Sequence, residues 1–261
     1  MIAGNSILRW RSVPDRRAAA LAFAPEWCAL AALVLVDIVW ALLIGLRFEG
    51  LHARLALIPA GMALLVLLRS GYFEGAARTC EYIFLSFAGS LALVVLSYLC
   101  LASAGPLMDD RFVAFDRALG FDWLAIRQWL DAHPPLPAIM RTLYASLFLQ
   151  GFVCTLLMCL RGNLKQMREL WLLSTLGCIL CCLVAMTLPA LGPFKLFHYE
   201  AEAVFMADLE KLVAGRDLRF QLETVTGVIT FPSFHTVLAL TIPYALRRHG
   251  AGNGEMDRKT V

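Results

Sequence analysis

Charge is what this sequence most lacks. Only 16% of its 261 residues are Asp, Glu, Lys or Arg, against 60% hydrophobic, whereas a soluble domain carries roughly a quarter charged residues. The deficit lies in long apolar runs, which is how a bilayer-spanning chain reads. A large excess of one sign is missing too. The formal net charge is +3, and the basic residues sit in small clusters between apolar runs. That pattern excludes a nucleic-acid surface and leaves the lysines and arginines as topology signals. No internal repeat and no low-complexity segment is present.

Cysteine is plentiful, with eight residues, but the surroundings that give thiols chemistry are absent. Cys178, Cys181 and Cys182 form a CxxC-like cluster whose neighbours are Ile179, Leu180, Leu183 and Val184. Zinc and redox sites need polar or ionisable company. The cysteines therefore read as small apolar residues facing lipid or a neighbouring helix.

The apolar runs predict an all-α fold, a polytopic transmembrane helical bundle of about six spans, at 27–46, 53–68, 81–102, 136–160, 169–188 and 231–246. The second and sixth are at the lower limit for crossing. Arg9, Arg11, Arg16 and Arg17 precede the first run as they would in a signal peptide. That run is about 20 residues long and no small-residue cleavage site follows, so a retained span is expected.

Lys and Arg set the orientation. With the N-terminus inside, Arg69, Arg78, Arg161, Lys165, Arg168, Arg247, Arg248, Arg258 and Lys259 join the N-terminal arginines on the cytoplasmic side. Most of the other basic residues fall in two long outer loops, where they count little. Asp109, Asp110, Asp116, Asp122 and Asp131 share one of those loops. Both termini are thus expected in the cytoplasm. With no long soluble extension, the chain reads as a multi-pass protein of a bacterial inner membrane.

The outer loops hold amphipathic helices. In 103–135, Trp123, Ile126 and Leu130 recur at helical spacing, which predicts a short helix lying on the membrane surface with Trp123 and Trp129 at headgroup depth. In 189–230, Gly192-Pro193 is followed by a helical stretch from Glu200 to Val213 that ends near Gly215. Leu218, Phe220 and Leu222 then alternate with Arg219, Gln221 and Glu223, the pattern of a small strand or hairpin. The tail from Gly250 is polar and expected to be disordered.

Two polar sets lie inside spans. Asp37 sits among Val36, Ile38 and Val39. An intramembrane carboxyl defaults to a functional hypothesis, here a proton or ion path, but a lone acid makes a poor relay. It is read as protonated or bonded to a serine or threonine of another span. Thr142, Ser146 and Gln150 recur every four residues on one face of the fourth span, which suggests hydrogen bonds between helices.

The most informative stretch is Phe231-Pro232-Ser233-Phe234-His235-Thr236. It follows a polar loop and opens an apolar helix, with Pro232 and Ser233 as helix-start residues. His235 then stands at the outer end of that helix. Free backbone N–H groups there make an anion site. An imidazole beside a bound phosphate can protonate a leaving oxygen.

Pro232-Ser233-Phe234-His235-Thr236 resembles the central signature of the type-2 phosphatidic acid phosphatase superfamily. With Phe231 in front, it is more similar to the branch around inositol phosphorylceramide synthases. Asp116-Arg117-Ala118-Leu119-Gly120-Phe121-Asp122-Trp123 resembles an outer-loop segment of that branch, and Tyr144 sits early in the next span, as it tends to there. Leu188-Pro189-Ala190-Leu191-Gly192-Pro193 resembles the Gly-Pro element ahead of the histidine motif. The resemblance divides the chain into a cytoplasmic segment (1–26), an accessory pair of spans (27–79), a phosphatase-like membrane core (80–246) and a disordered polar tail (247–261).

The resemblance implies a helix bundle with its site at the outer face and no metal or other cofactor. It also implies chemistry through phosphohistidine, acting on membrane lipids: a lipid-phosphate or phospholipid substrate. His235 takes the general-acid role, Ser233 contacts phosphate, and Lys195 is the nearest basic clamp, although the family's Lys-then-Arg-Pro pattern does not follow it. Arg219 and His198 are weaker candidates. Lipid phosphate, prenyl pyrophosphate and phosphoinositol transfer would all use the same residues.

What the sequence lacks matters again here. The attacking histidine and its aspartate four residues on belong to a further span, and only His249 follows His235, with Asn253 four residues beyond it. Fourteen residues of helix would separate the two histidines by about 21 Å. His52, His133 and His198 precede the motif. Three explanations stand: a truncated chain, a non-catalytic relative that binds a phosphate headgroup, or a nucleophile from elsewhere. A small transporter is the rival reading from another class.

Overall fold

The computed structural model describes residues 22–50, 61, 64–67, 74–198, 205–215, 217–221 and 224–247. Four helices are long and apolar enough to cross a membrane: α1 (Ala24–Ile44), α2 (Glu74–Ala102), α5 (Pro135–Leu160) and α6 (Leu164–Thr187). Between them lie α3 (Asp109–Ala118) and α4 (Trp123–Asp131). After α6 come α7 (Pro193–Leu196), α8 (Met206–Ala214) and α9 (Phe234–Leu246). The chain is an all-α polytopic bundle and an integral membrane protein. The sixth expected span, α9, has 13 residues, about 20 Å at 1.5 Å per residue, against about 30 Å of hydrocarbon. The second expected span lies mostly outside the described residues; within it, residues 61 and 64–67 are helical.

Helices α1 and α2 run parallel. Phe23 meets Tyr82 at one end, with ring centroids 5.5 Å apart, and Phe48 meets Tyr98 at the other, at 5.6 Å. The start of α1 is tied down by a buried carboxylate: Glu81 accepts from the N–H groups of Ala22 (3.0 Å) and Phe23 (2.9 Å). Two donors that the first turn cannot satisfy internally are thereby paired. Arg168 of α6 bonds the Ala22 carbonyl and pairs with Glu26 at 3.3 Å. Helix α2 begins at Glu74, ahead of the expected boundary at Glu81, whose buried carboxylate thus lies inside the helix.

Helices α2 and α6 form the centre, with α1 packed on α2 and α9 wedged against α6 and α5. Lipid offers no hydrophobic drive for such packing, so small residues set the approach. At Gly177 of α6 a β-carbon would collide with the Val237 side chain of α9. Cys178 and Cys182 of α6 and Cys100 of α2 are buried in an apolar cluster that also takes in Phe234. Asp37 is buried in α1, and neither carboxylate oxygen has a partner among the described residues. The bond to a serine or threonine, one of the two expectations for this carboxyl, is not made among the described residues.

The polar stripe of α5 is also used differently from the expectation. Thr142 donates to the Ala138 carbonyl (2.9 Å), Ser146 to the Leu143 carbonyl (2.7 Å), and the Gln150 amide to Ser146 Oγ (2.9 Å). All three bonds stay within α5, so none of them reaches a neighbouring helix.

At the end where α1, α2 and α6 finish, a small cap folds over the bundle. The expected strand exists as β2 (Arg219–Gln221), but it is no hairpin. It pairs in parallel with β1 (Arg47–Glu49), directly after α1, with Phe48 opposite Phe220. Phe220 packs edge-on against Tyr98 at 4.9 Å. The Tyr98 hydroxyl donates to Asp208 at 2.6 Å and so ties α8 to α2, while Leu209 and Leu212 fill the space beneath. The helical stretch expected from Glu200 appears as α8; its first residues lie outside the described set. Helix α4 is capped by Asp122, which accepts from the Ala125 N–H at 3.1 Å. Trp129 is exposed there, whereas Trp123 is stacked on Phe197 at 5.1 Å.

Candidate active site

Three chain segments are woven together at this end. After α2, Met108 N–H donates to the Pro189 carbonyl at 2.9 Å. Asp109, the first residue of α3, accepts from the N–H groups of Leu191 (3.1 Å) and Gly192 (2.7 Å). From the third segment, Thr230 donates to the Ala190 carbonyl at 2.6 Å, and Phe231 packs on Phe112 at 4.7 Å. Each segment of the weave is thus held to another by hydrogen bonds or ring packing. Gly192 turns the chain at φ 85°, ψ 176°, a region essentially reserved for glycine.

The weave fixes the start of α9. The Phe231–Pro232 peptide is cis. Ser233 is the extended N-cap residue, and its carbonyl accepts from Thr236 (3.1 Å) and Val237 (3.4 Å). Its hydroxyl makes no capping bond. The expected side-chain cap is therefore absent. The N–H groups of Phe234 and His235 have no carbonyl a turn back within the helix. Phe234 is anchored among the buried cysteines, so His235, the next residue, turns to another side of α9.

There it meets α5. The Tyr144 hydroxyl lies 2.8 Å from His235 Nδ1. The two rings stack with centroids 3.9 Å apart and planes 19° apart. Phe148, one turn on, contributes its ring edge-on at 5.1 Å. His235 stays partly exposed, and Tyr144 and Phe148 lie on the open face of α5.

The other expected site residues are placed less tightly. Lys195 is in α7, three residues past Gly192, with its ammonium 2.7 Å from Glu210 of α8. Both side chains are nearly half exposed. His198 is exposed just beyond α7, with a left-handed backbone at φ 62°. Arg219 lies in β2 opposite Arg47, 4.0 Å from Asp217, so it belongs to the ribbon. His133 is used locally, its Nδ1 2.7 Å from the Trp129 carbonyl. Among the described residues the partners of the His235 ring are Tyr144 and Phe148, and no histidine is one of them. His52 and His249 lie outside the described set. No group of His, Cys, Asp and Glu among the described residues is arranged to hold a metal ion.

Nothing in the sequence singles out Asp109 or Thr230. Asp109 is one of several acids in its loop, and its acceptor role depends on residues 82 and 83 positions away. Tyr144 is marked in the sequence only by its place in the span.

Fold and site together define a polytopic membrane protein that presents a histidine and an open helix N-terminus beside a glycine-proline turn. A profile of the PAP2 superfamily matches residues 110–254, more than half of the chain, and the chain belongs to that superfamily. The matched stretch runs from α3 through the histidine motif. Membership supports a phosphatase or phosphotransferase type of function in general. No curated protein and no solved structure matches the chain.

Proposed function

We propose that this protein acts on membrane lipids as a lipid-phosphate phosphatase or headgroup phosphotransferase, in the manner of the inositol phosphorylceramide synthase branch. The observation that carries the reading is His235 at the open first turn of α9, with its ring held against Tyr144. In this reading the free N–H groups of Phe234 and His235 and the Ser233 hydroxyl seat the phosphate. His235 gives its proton to the leaving oxygen as an incoming nucleophile, from outside the described residues, bonds to phosphorus and the bond from phosphorus to that oxygen breaks. Lys195 supplies counter-charge; its partly exposed pair with Glu210 is worth at most about 1 kcal/mol and is readily exchanged for a phosphate. The site faces the outer side of the membrane and both termini the cytoplasm, which cysteine labelling from each side would check.

The test is phosphate release from a short-chain phosphatidate in mixed micelles without added metal, comparing the protein with His235→Ala. Turnover that vanishes in the variant supports the reading. If neither form turns over, the protein is not itself an active enzyme. A second reading, a headgroup binder without turnover, is favoured by one observation: among the described residues His235 is paired with a tyrosine and not with a second histidine. Saturable binding of phosphatidate-containing micelles without phosphate release would support it.

A further inference from the structure

We infer that Tyr144 is the positioning residue of the site: it holds Nδ1 of His235 and thereby delivers Nε2 to the phosphate. The inference rests on the proposed role of His235 as proton donor and says which ring nitrogen does the work and what aims it.

The two nitrogens of an imidazole are distinct, and the partner of one decides the role of the other. In this structure Nδ1 is occupied by the Tyr144 hydroxyl at 2.8 Å. Ring rotation about the Cβ–Cγ bond, which would exchange the two edges, is blocked on two sides. Tyr144 lies flat on the imidazole at 3.9 Å and Phe148 abuts it edge-on at 5.1 Å. The remaining nitrogen, Nε2, is the one left for a ligand at the first turn of α9.

A phenol suits this role in a way a carboxylate would not. Its hydroxyl both donates and accepts. With the rings stacked, the hydroxyl lies over the imidazole face beside Nδ1, and it stays there before and after Nε2 gives its proton to the leaving oxygen. No charge is added beside a dianionic substrate. Tyr144 comes from α5 and His235 from α9, 91 positions apart, so the contact also sets how these helices face each other at the site. Tyr144 is 56% exposed, so removing its hydroxyl leaves no cavity, and Tyr144→Phe separates the hydrogen bond from packing.

The experiment uses the full chain in micelles, labelled with 15N-histidine, with the His235 signals assigned by their loss in His235→Gln. Inorganic phosphate is the probe. In the wild type phosphate is expected to move the Nε2 resonance and leave Nδ1 nearly unchanged. In Tyr144→Phe the Nδ1 resonance should shift without any ligand, and the response to phosphate should spread over both nitrogens. Identical Nδ1 signals in the two proteins, a phosphate response at Nδ1 in the wild type, or no response at either nitrogen would each overturn the inference. Where the wild type turns over phosphatidate, Tyr144→Phe should lower kcat by about tenfold to a hundredfold, part of what general acid catalysis supplies, with KM within about twofold. A 32P label trapped on Tyr144 would also overturn it, by making the tyrosine the attacking group. If the wild type shows no turnover, the enzymatic reading fails, and the nitrogen signals still decide this one.

Discussion

Replacing Asp109 by alanine should loosen the glycine-proline turn while leaving the bundle intact. The carboxylate accepts from Leu191 and Gly192, at 3.1 and 2.7 Å. Hydrogen bonds to a charged acceptor contribute about 1.5–3 kcal/mol each. Leu191 is buried, so its N–H loses a partner that water cannot easily replace, whereas Gly192 is only half-buried and can be hydrated. The two losses together come to about 2–4 kcal/mol of local stability, less than twice the single-bond figure at its upper end. Local opening governs amide exchange, so this corresponds to roughly 30-fold to 1,000-fold faster exchange at Leu191 and Gly192. The milder Asp109→Asn change keeps one carbonyl acceptor and should give an intermediate rate. The assay is hydrogen exchange read by mass spectrometry on peptides covering 186–197. Peptides covering Ala22 and Phe23, whose N–H groups are held by Glu81 at the far end of α1, serve as the internal control. Exchange at Leu191 and Gly192 within threefold of wild type in Asp109→Ala would refute the reasoning. Equal acceleration at the control peptides would mean global destabilisation and would refute it too.

Gly177→Ala should lower the thermal midpoint in detergent, because a β-carbon there collides with Val237 and overpacking typically costs about 1–3 kcal/mol; adding Val237→Ala should restore part of the loss. Tyr98→Phe leaves the Asp208 carboxylate without its 2.6 Å donor and should cost about 1–3 kcal/mol, read as an earlier unfolding step, with Asp208→Asn milder. Glu210→Gln breaks the pair to Lys195 and should change the unfolding midpoint little, as exposed pairs contribute about 0–1 kcal/mol. If Lys195 serves the phosphate, the same change should tighten inorganic phosphate binding and Lys195→Ala should weaken it; no change in either variant removes Lys195 from the site.

The long helices are legible in the sequence because apolar length is a strong local signal. Their ends are not. Glu81 reads as a boundary charge, and only the structure shows its carboxylate buried as the cap of α1, some 58 positions away. The polar first turn of α6, with Lys165, Arg168 and Glu169, reads as loop; it is helix because Asn163 caps it by accepting from the Gln166 N–H at 3.2 Å. Helix α3 escapes a reading by hydrophobicity, although Asp109 and Asp110 in its first turn and Arg117 in its last match the helix dipole. The polar stripe of α5 has the spacing of a helix–helix interface and yet bonds only to its own helix, a choice that periodicity does not encode.

The candidate site shows the same division more sharply. The motif around His235 is local and can be read; what aims it is not local. Inside the bilayer the helices gain little from burying apolar faces against each other, so precision at the end of the bundle has to come from polar groups. Where α2 and α6 end and α9 begins, the backbone N–H and C=O groups need partners. Asp109 and Thr230 supply them across 82 and 40 positions, and Tyr144 does the same for an imidazole nitrogen across 91. The residues that satisfy the frame are thus the residues that locate the histidine. A substitution that leaves the Pro232-Ser233-Phe234-His235-Thr236 signature untouched, at Asp109, should therefore impair phosphate recognition more than one on the open face of α1, where Leu42 and Leu43 are largely exposed. Phosphate titration of Asp109→Ala and Leu42→Ala side by side checks this, and equal weakening in the two would break the link between frame and site.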